Sequence, residues 1–205
     1  MPAFDTFVFD QLPPPPRRVL EVGCGDEGGV VEALVERGYD ALGVDPRAPV
    51  GERFVQANFE ELDGEWDAVV AGNVLHHVNP LGSGLDRLAS FAPLLVVDEF
   101  ASDKIDAAAQ DWYEGQHRML LASGAEPHGP PSLDEWRERH PGLHPHDLLL
   151  RELRARYDER ELVWVPFLTR WLRGPSSEAL EQTLIDTRAI PAIGYRWVGT
   201  RRETE

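Results

Sequence analysis

The run Val19-Leu20-Glu21-Val22-Gly23-Cys24-Gly25-Asp26-Glu27-Gly28 places a short apolar strand, an acidic residue and closely spaced glycines at one turn. The apolar residues suit a strand buried on both faces, and the residues from Gly28 to Glu36 read as the opening of a helix. Glycine is needed at such a turn because a Cβ would block both positive-φ conformations and the close approach of a ligand to the backbone. Strand, glycine turn and helix in this order predict an α/β chain with a nucleotide-type cofactor held at the turn.

Two cofactor classes fit the glycines. Gly23, Gly25 and Gly28 match GxGxxG, the dinucleotide fingerprint, and Asp45 ends the next apolar run where a ribose-binding acid belongs. On that reading the chain is a nicotinamide- or flavin-dependent oxidoreductase. Against it stands Glu21, an acid inside the strand, which is costly to bury unless something cationic or hydrogen-bonding meets it. The ammonium group of S-adenosylmethionine would be such a partner.

Glu21-Val22-Gly23-Cys24-Gly25 resembles the first motif of the class I S-adenosylmethionine-dependent methyltransferases, an acid followed by glycines at alternate positions. At the third alternate position the chain has Glu27 and delays glycine to Gly28. The resemblance continues through Ala41 to Asp45, similar to the family's second strand with its terminal acid for the ribose hydroxyls. It extends to Phe54 to Leu62, similar to the third strand and adenine-side loop, where Asn58 stands in place of the usual Asp. Neutral Asn is a weaker acceptor than a carboxylate. Trp66-Asp67 and the following Ala68 to Val78, with Leu75-His76-His77, resemble the fourth-strand motif of the small-molecule (type 11-like) branch. The resemblance implies a doubly wound, Rossmann-like, seven-stranded sheet, mostly parallel with a closing antiparallel pair. It implies S-adenosylmethionine as cofactor, with Glu21, Gly23, Cys24, Gly25, Asp45, Pro46, Asn58, Phe59 and Asn73 as its contacts.

Length and charge narrow the partners. A chain of 205 residues suits one methyltransferase domain over 1–205. No run of about 18 apolar residues occurs, so no membrane span is expected. The start of the chain lacks a secretory pattern, and Cys24 is the one cysteine, so a cytoplasmic setting is expected. Cys24 reads either as a reactive thiol at a helix start or as a small residue filling a tight loop. A formal net charge of −16 repels phosphate backbones, so a small-molecule methyl acceptor is expected rather than a nucleic acid.

Phe91 to Phe100 ends an apolar run in Asp98-Glu99 and suits a fifth strand; its acids, with Asn73, would then point at the crevice beyond the strand ends. Helices are expected over Asp103 to Ala122, Leu133 to Arg139 and Asp147 to Tyr157. Strands are expected at Glu161 to Phe167, where Pro166 favours an edge, and at Gly194 to Thr200.

Residues 101–160 form a helical insertion expected to cover the substrate. Glu99, Trp112, Tyr113 and His144 are expected to bind the acceptor, and Tyr113 and His117, four apart, share a helix face. His117 and His77 are candidate general bases, because a hydroxyl or ammonium acceptor must lose a proton and imidazole titrates near neutrality. Of the adjacent pair, His77 is placed inward with Leu75 and Val78. The alternatives are that Trp112 and Tyr113 simply pack, with His117 at the surface, and that His76 and His77 cap the next helix. His140, His144, His146 and Asp147 could ligate zinc or iron, but Pro141 and Pro145 interrupt them and no metal is expected. The phenylalanines Phe4, Phe7 and Phe9 precede a stiff Pro13 to Pro16 spacer. The expected activity is methyl transfer to an O or N atom of a small molecule; the competing readings are the oxidoreductase and a non-catalytic S-adenosylmethionine-binding protein.

Overall fold

The computed structural model describes residues 3–172 and 175–202. Its elements are, in order, α1 (Phe4–Gln11), β1 (Arg18–Val22), α2 (Val31–Glu36), β2 (Asp40–Val44), β3 (Phe54–Val55), β4 (Ala68–Gly72), α3 (Leu81–Phe91) and β5 (Leu94–Phe100). There follow α4 (Ala107–Ala122), α5 (Leu133–Arg139), α6 (His146–Arg156), β6 (Tyr157–Val165), α7 (Leu168–Leu172), α8 (Pro175–Asp186) and β7 (Gly194–Arg201).

The seven strands form one sheet in the order β3-β2-β1-β4-β5-β7-β6. β1 pairs in parallel with both β2 and β4, and β5 continues the parallel run beyond β4. β7 runs against β5, since Arg201 N bonds Pro93 O while Ala101 N bonds Ile193 O. This is the expected fold: mostly parallel, helices on both faces, closed by an antiparallel pair. The strand order reverses between β1 and β4, which puts the glycine turn after β1 beside the turn after β4.

The chain divides into two compact units. The sheet unit runs up to Glu99 and includes Asp147–Val163 and the chain from Arg196 on; the helical unit comprises Phe100–His146 and Trp164–Tyr195. In the sheet unit, alternate strand residues Val19, Ala41, Val70, Val96 and Val198 bury against Phe7 and Val8 of α1 and Val31 and Leu34 of α2. α3 buries Leu81, Leu85 and Leu88, the spacing of a one-faced amphipathic helix. The helical unit has its own core, in which Phe100 stacks on Phe167 at 4.5 Å and Ile105, Ala109 and Tyr113 meet Leu133, Leu168 and Leu172.

Several element ends differ from expectation for local reasons. α4 starts at Ala107 because Asp106 caps it, accepting from Ala109 N at 2.8 Å, and residues 102–104 form a separate 3₁₀ turn. β6 begins at Tyr157, directly after α6, and is an edge strand ending just before Pro166. α1, α7 and α8 carry no clear sequence signature; the segment 168–193 in particular had none. Asp147 to Val163 packs with the sheet, so the helical unit stops short of the 101–160 insertion at its far end and recruits 164–195 instead.

Candidate functional site

The site of the sheet unit is built on the turn after β1. Gly23 has φ +80, its N–H donates to Val44 O at 2.9 Å, and a Cβ there would lie 2.6 Å from Val74 Cβ. Only glycine therefore lets the β1 turn meet the β4 turn. Glu21 is 3% exposed and accepts from Val30 N at 2.7 Å. The partner that offsets its burial is thus the backbone of the following loop, the Val30 and Val31 amides, so the carboxyl braces the loop from beneath. Burial still dominates and pushes it from 4.5 up to about 7. The same carboxyl occupies the space where a Cβ on Gly29 would stand.

Asp45 follows β2. Its Oδ1 accepts from Arg47 N at 2.7 Å, and its carbonyl accepts from Ala48 N at 3.0 Å, a local turn that fixes the carboxylate at the strand end. Asp45 and Pro46 border a cavity of ≈ 580 Å³, a size suited to a cofactor. Val22 and Gly23 at the end of β1, 57–61, Val74, 77–80 and Ser83 line it as well. Phe59 is 6% exposed and lies close to where Gly84 of α3 leaves room. Asn58 Nδ2 donates to Glu61 Oε1 at 2.9 Å, which turns the side-chain oxygen into the atom able to accept from a ligand.

The turn after β4 separates the two adjacent histidines. His76 is 5% exposed with Nδ1 2.6 Å from Glu99 Oε2, whereas His77 is exposed and lines the cavity. His77 is therefore the one facing the cavity, but the phase expected for it is wrong: Leu75 and His76 share the buried side, because a buried carboxyl from β5 holds His76 there. Glu99 itself is 0% exposed, with Oε1 accepting from Leu75 N at 2.6 Å. The acid expected to bind substrate is taken up by this turn.

A family model for a methyltransferase domain matches residues 4–164. The chain belongs to the S-adenosylmethionine-dependent methyltransferases. The oxidoreductase reading of the glycines is overturned by this match. No curated protein matches the methyltransferase in sequence. Solved structures share its fold. A protein assigned as a methyltransferase of an antibiotic biosynthesis pathway in Anabaena variabilis is 15% identical, with 96% of each chain covered and a TM-score of 0.61. Magnesium protoporphyrin IX methyltransferase from Synechocystis, with bound S-adenosylhomocysteine, is also 15% identical, covering 97% of this chain and 80% of that one at a TM-score of 0.56. Phosphoethanolamine N-methyltransferase 2 from Haemonchus contortus is 12% identical, covering 98% of this chain and 52% of that one at 0.58. At these identities the likeness is one of fold.

Within the methyltransferase, Gly23, Asp45, Pro46, Asn58, Phe59 and His77 come together around the cavity, while Glu21, Cys24, Gly25 and Asn73 are outside its lining. Cys24 is 5% exposed, and a Cβ on Gly43 of β2 would lie 3.0 Å from its Sγ. Burial, then the Glu21 and Asp45 carboxylates, push the thiol up to about 12, so it is a space-filling group and not a thiolate nucleophile. Asn73 adopts φ +51, with its N–H donating to Asp98 O at 2.7 Å; Asp98 in turn lies 3.3 Å from Arg196 Nε. Val74, Glu60, Glu61 and Ser83 line the cavity and were not foreseen. Glu60 and Glu61 fall in the adenine-side segment already marked by its motif, whereas nothing in the sequence distinguishes Ser83.

In the helical unit, Tyr113 and His117 do share a face of α4, but that face is buried. Tyr113 Oη donates to Pro130 O at 2.7 Å and His117 Nε2 lies 3.2 Å from Gly129 O. Both pin the 127–131 loop, and burial pushes the Tyr113 phenol well above its ordinary range. His117 is 4% exposed, neither a surface residue nor placed as a base. Trp112 and His144 are half-buried. His140 Nδ1 lies 2.8 Å from Trp136 O and His146 Nδ1 lies 2.7 Å from Asp103 Oδ2, so these two histidines have separate partners. Among the described residues no group of three metal-ligating side chains gathers.

Proposed function

We propose that this methyltransferase transfers the methyl group of S-adenosylmethionine to an O or N atom of a small molecule. The observation that carries the cofactor half is the cavity itself: an acid at the end of β2, Gly23 at the β1 turn and the apolar lining residues Phe59, Val74 and Val78 suit a ribose and a purine. Asp45 would accept from the ribose hydroxyls, Asn58 Oδ1 from the adenine amino group, and Gly23 would admit the ligand against the backbone. Glu21 would act from beneath, by holding the 23–30 loop in shape.

When bound, S-adenosylmethionine supplies an electrophilic methyl on a sulfonium, open to in-line displacement by a lone pair. The chain's part is then to position the acceptor, whose proton passes to solvent. Neither a buried His117 nor a Glu99 given to the 75–77 turn is needed for that. The small-molecule branch is supported by the net charge of −16, which disfavours a polyanionic acceptor, and by the fold shared with enzymes named for porphyrin and phosphoethanolamine substrates. Acceptor choice is assigned to 101–160, with Trp112 and His144 as its half-buried side chains. Among the described residues no helix is long and apolar enough to cross a membrane, and the single buried thiol fits a cytoplasmic setting.

The test is transfer from tritiated S-adenosylmethionine to fractionated cell extract. Label in the small-molecule fraction, released neither by ribonuclease nor by protease, is expected. Label confined to RNA or protein would overturn the small-molecule reading, and binding without transfer to any fraction would favour a non-catalytic binding protein.

A further inference from the structure

A buried carboxyl whose two oxygens serve one three-residue turn is a costly arrangement for a cofactor fold to keep idle. Glu99 Oε1 takes Leu75 N at 2.6 Å and His76 N at 3.4 Å, and Oε2 takes His76 Nδ1 at 2.6 Å. Side-chain exposures are 0% for Glu99 and 6% for His76, so water does not substitute for these bonds. The turn is also clamped from α3, where Val78 fills the space above Gly84 that a Cβ would need. On its other side stands His77, whose ring centroid is 4.2 Å from that of His76 and whose side chain lines the cavity next to Asn79 and Pro80. β5, the 75–77 turn and the cavity wall are thus one chain of contacts within the sheet unit.

We propose that Glu99 and His76 are positioning residues for cofactor binding: they hold the turn so that the His77 ring forms a wall of the cavity against the adenosyl group. This rests on the cofactor reading above. It gives His77 a stacking role in place of a proton-accepting one. A flat aromatic ring against a base contributes through its face and needs no particular nitrogen. A general base, by contrast, has no substitute in an apolar ring.

Calorimetric titration with S-adenosylhomocysteine separates these roles without requiring the acceptor. His77→Ala should weaken binding about tenfold, in the range of a lost aromatic–base stack, and His77→Phe should recover most of that loss. Glu99→Gln, nearly isosteric, should weaken binding severalfold. His76→Phe keeps a ring behind His77 and the backbone bond to Glu99 but loses the side-chain bond to Oε2, and should do the same; it carries the test should Glu99→Gln fail to fold. Because both act through His77, Glu99→Gln combined with His77→Ala should bind no more weakly than His77→Ala alone. Independent, multiplying losses would overturn the proposal, as would unchanged affinity in Glu99→Gln and His76→Phe, or His77→Phe as weak as His77→Ala. Absence of binding to the parent protein is a different failure: it would remove the cofactor reading on which the proposal stands.

Discussion

At the scale of single residues, Glu21 joins stability to the state of the cofactor loop. Its carboxyl is raised from 4.5 to about 7 by burial, so the folded state binds a proton more tightly than the unfolded chain does. Its contribution is fully present below pH 4.5 and is lost as pH rises through about 7, equivalent to roughly 3 kcal/mol at most. Thermal midpoints measured from pH 5 to pH 8 should fall more steeply for the parent protein than for Glu21→Gln, which keeps an oxygen for the Val30 amide but carries no charge. Parallel curves would remove Glu21 as the cause. Gly29 gives a second test: with φ +57 and the Glu21 carboxyl in the path of a Cβ, Gly29→Ala should cost about 2 kcal/mol or more by denaturant titration. The presence of an acid before the glycines is legible in the sequence. That its bond runs to an amide nine residues later is not, because the loop's path is set by φ values that sequence does not display.

Among elements, those bounded by strong local chemistry are readable. The helix expected over Leu133 to Arg139 is α5, whose start Ser132 caps by accepting from Glu135 N at 3.4 Å. Elements held by distant partners are not. The 75–77 turn shows this: the local spacing put His77 on the buried side, and a carboxyl from β5 put His76 there instead. α7 is a further case. Its first amides are met from a distance: Glu181 of α8, 0% exposed, accepts from Phe167 N at 2.9 Å, Leu168 N at 3.1 Å and Thr169 N at 2.9 Å. Glu181→Ala would leave three amides unpaired and should destabilise the protein by about 2 to 4 kcal/mol, with Glu181→Gln losing about half as much. Chemical denaturation of the two variants measures this; a loss under about 0.5 kcal/mol for Glu181→Ala would show that water replaces the cap.

For the whole molecule, the motifs between Val19 and Val78 carried the sheet order, because each falls at a strand end that the doubly wound topology brings to one edge. They carried much less of the helical unit, where Trp112, Tyr113 and His117 have the composition of a binding surface but Tyr113 and His117 are committed to its core and the 127–131 loop. Aromatic and histidine content does not say which way a helix faces, and packing decides it. The proposed activity requires the ≈ 580 Å³ cavity to be the S-adenosylmethionine site, with Asp45 as its ribose acid. Calorimetric titration of S-adenosylhomocysteine into the parent protein and Asp45→Ala tests this most directly. One-to-one binding by the parent, weakened in the variant by roughly 1.5 to 3 kcal/mol, about ten- to a hundredfold, is the predicted result. Equal affinity in the two proteins, or no binding heat with the parent, would contradict it.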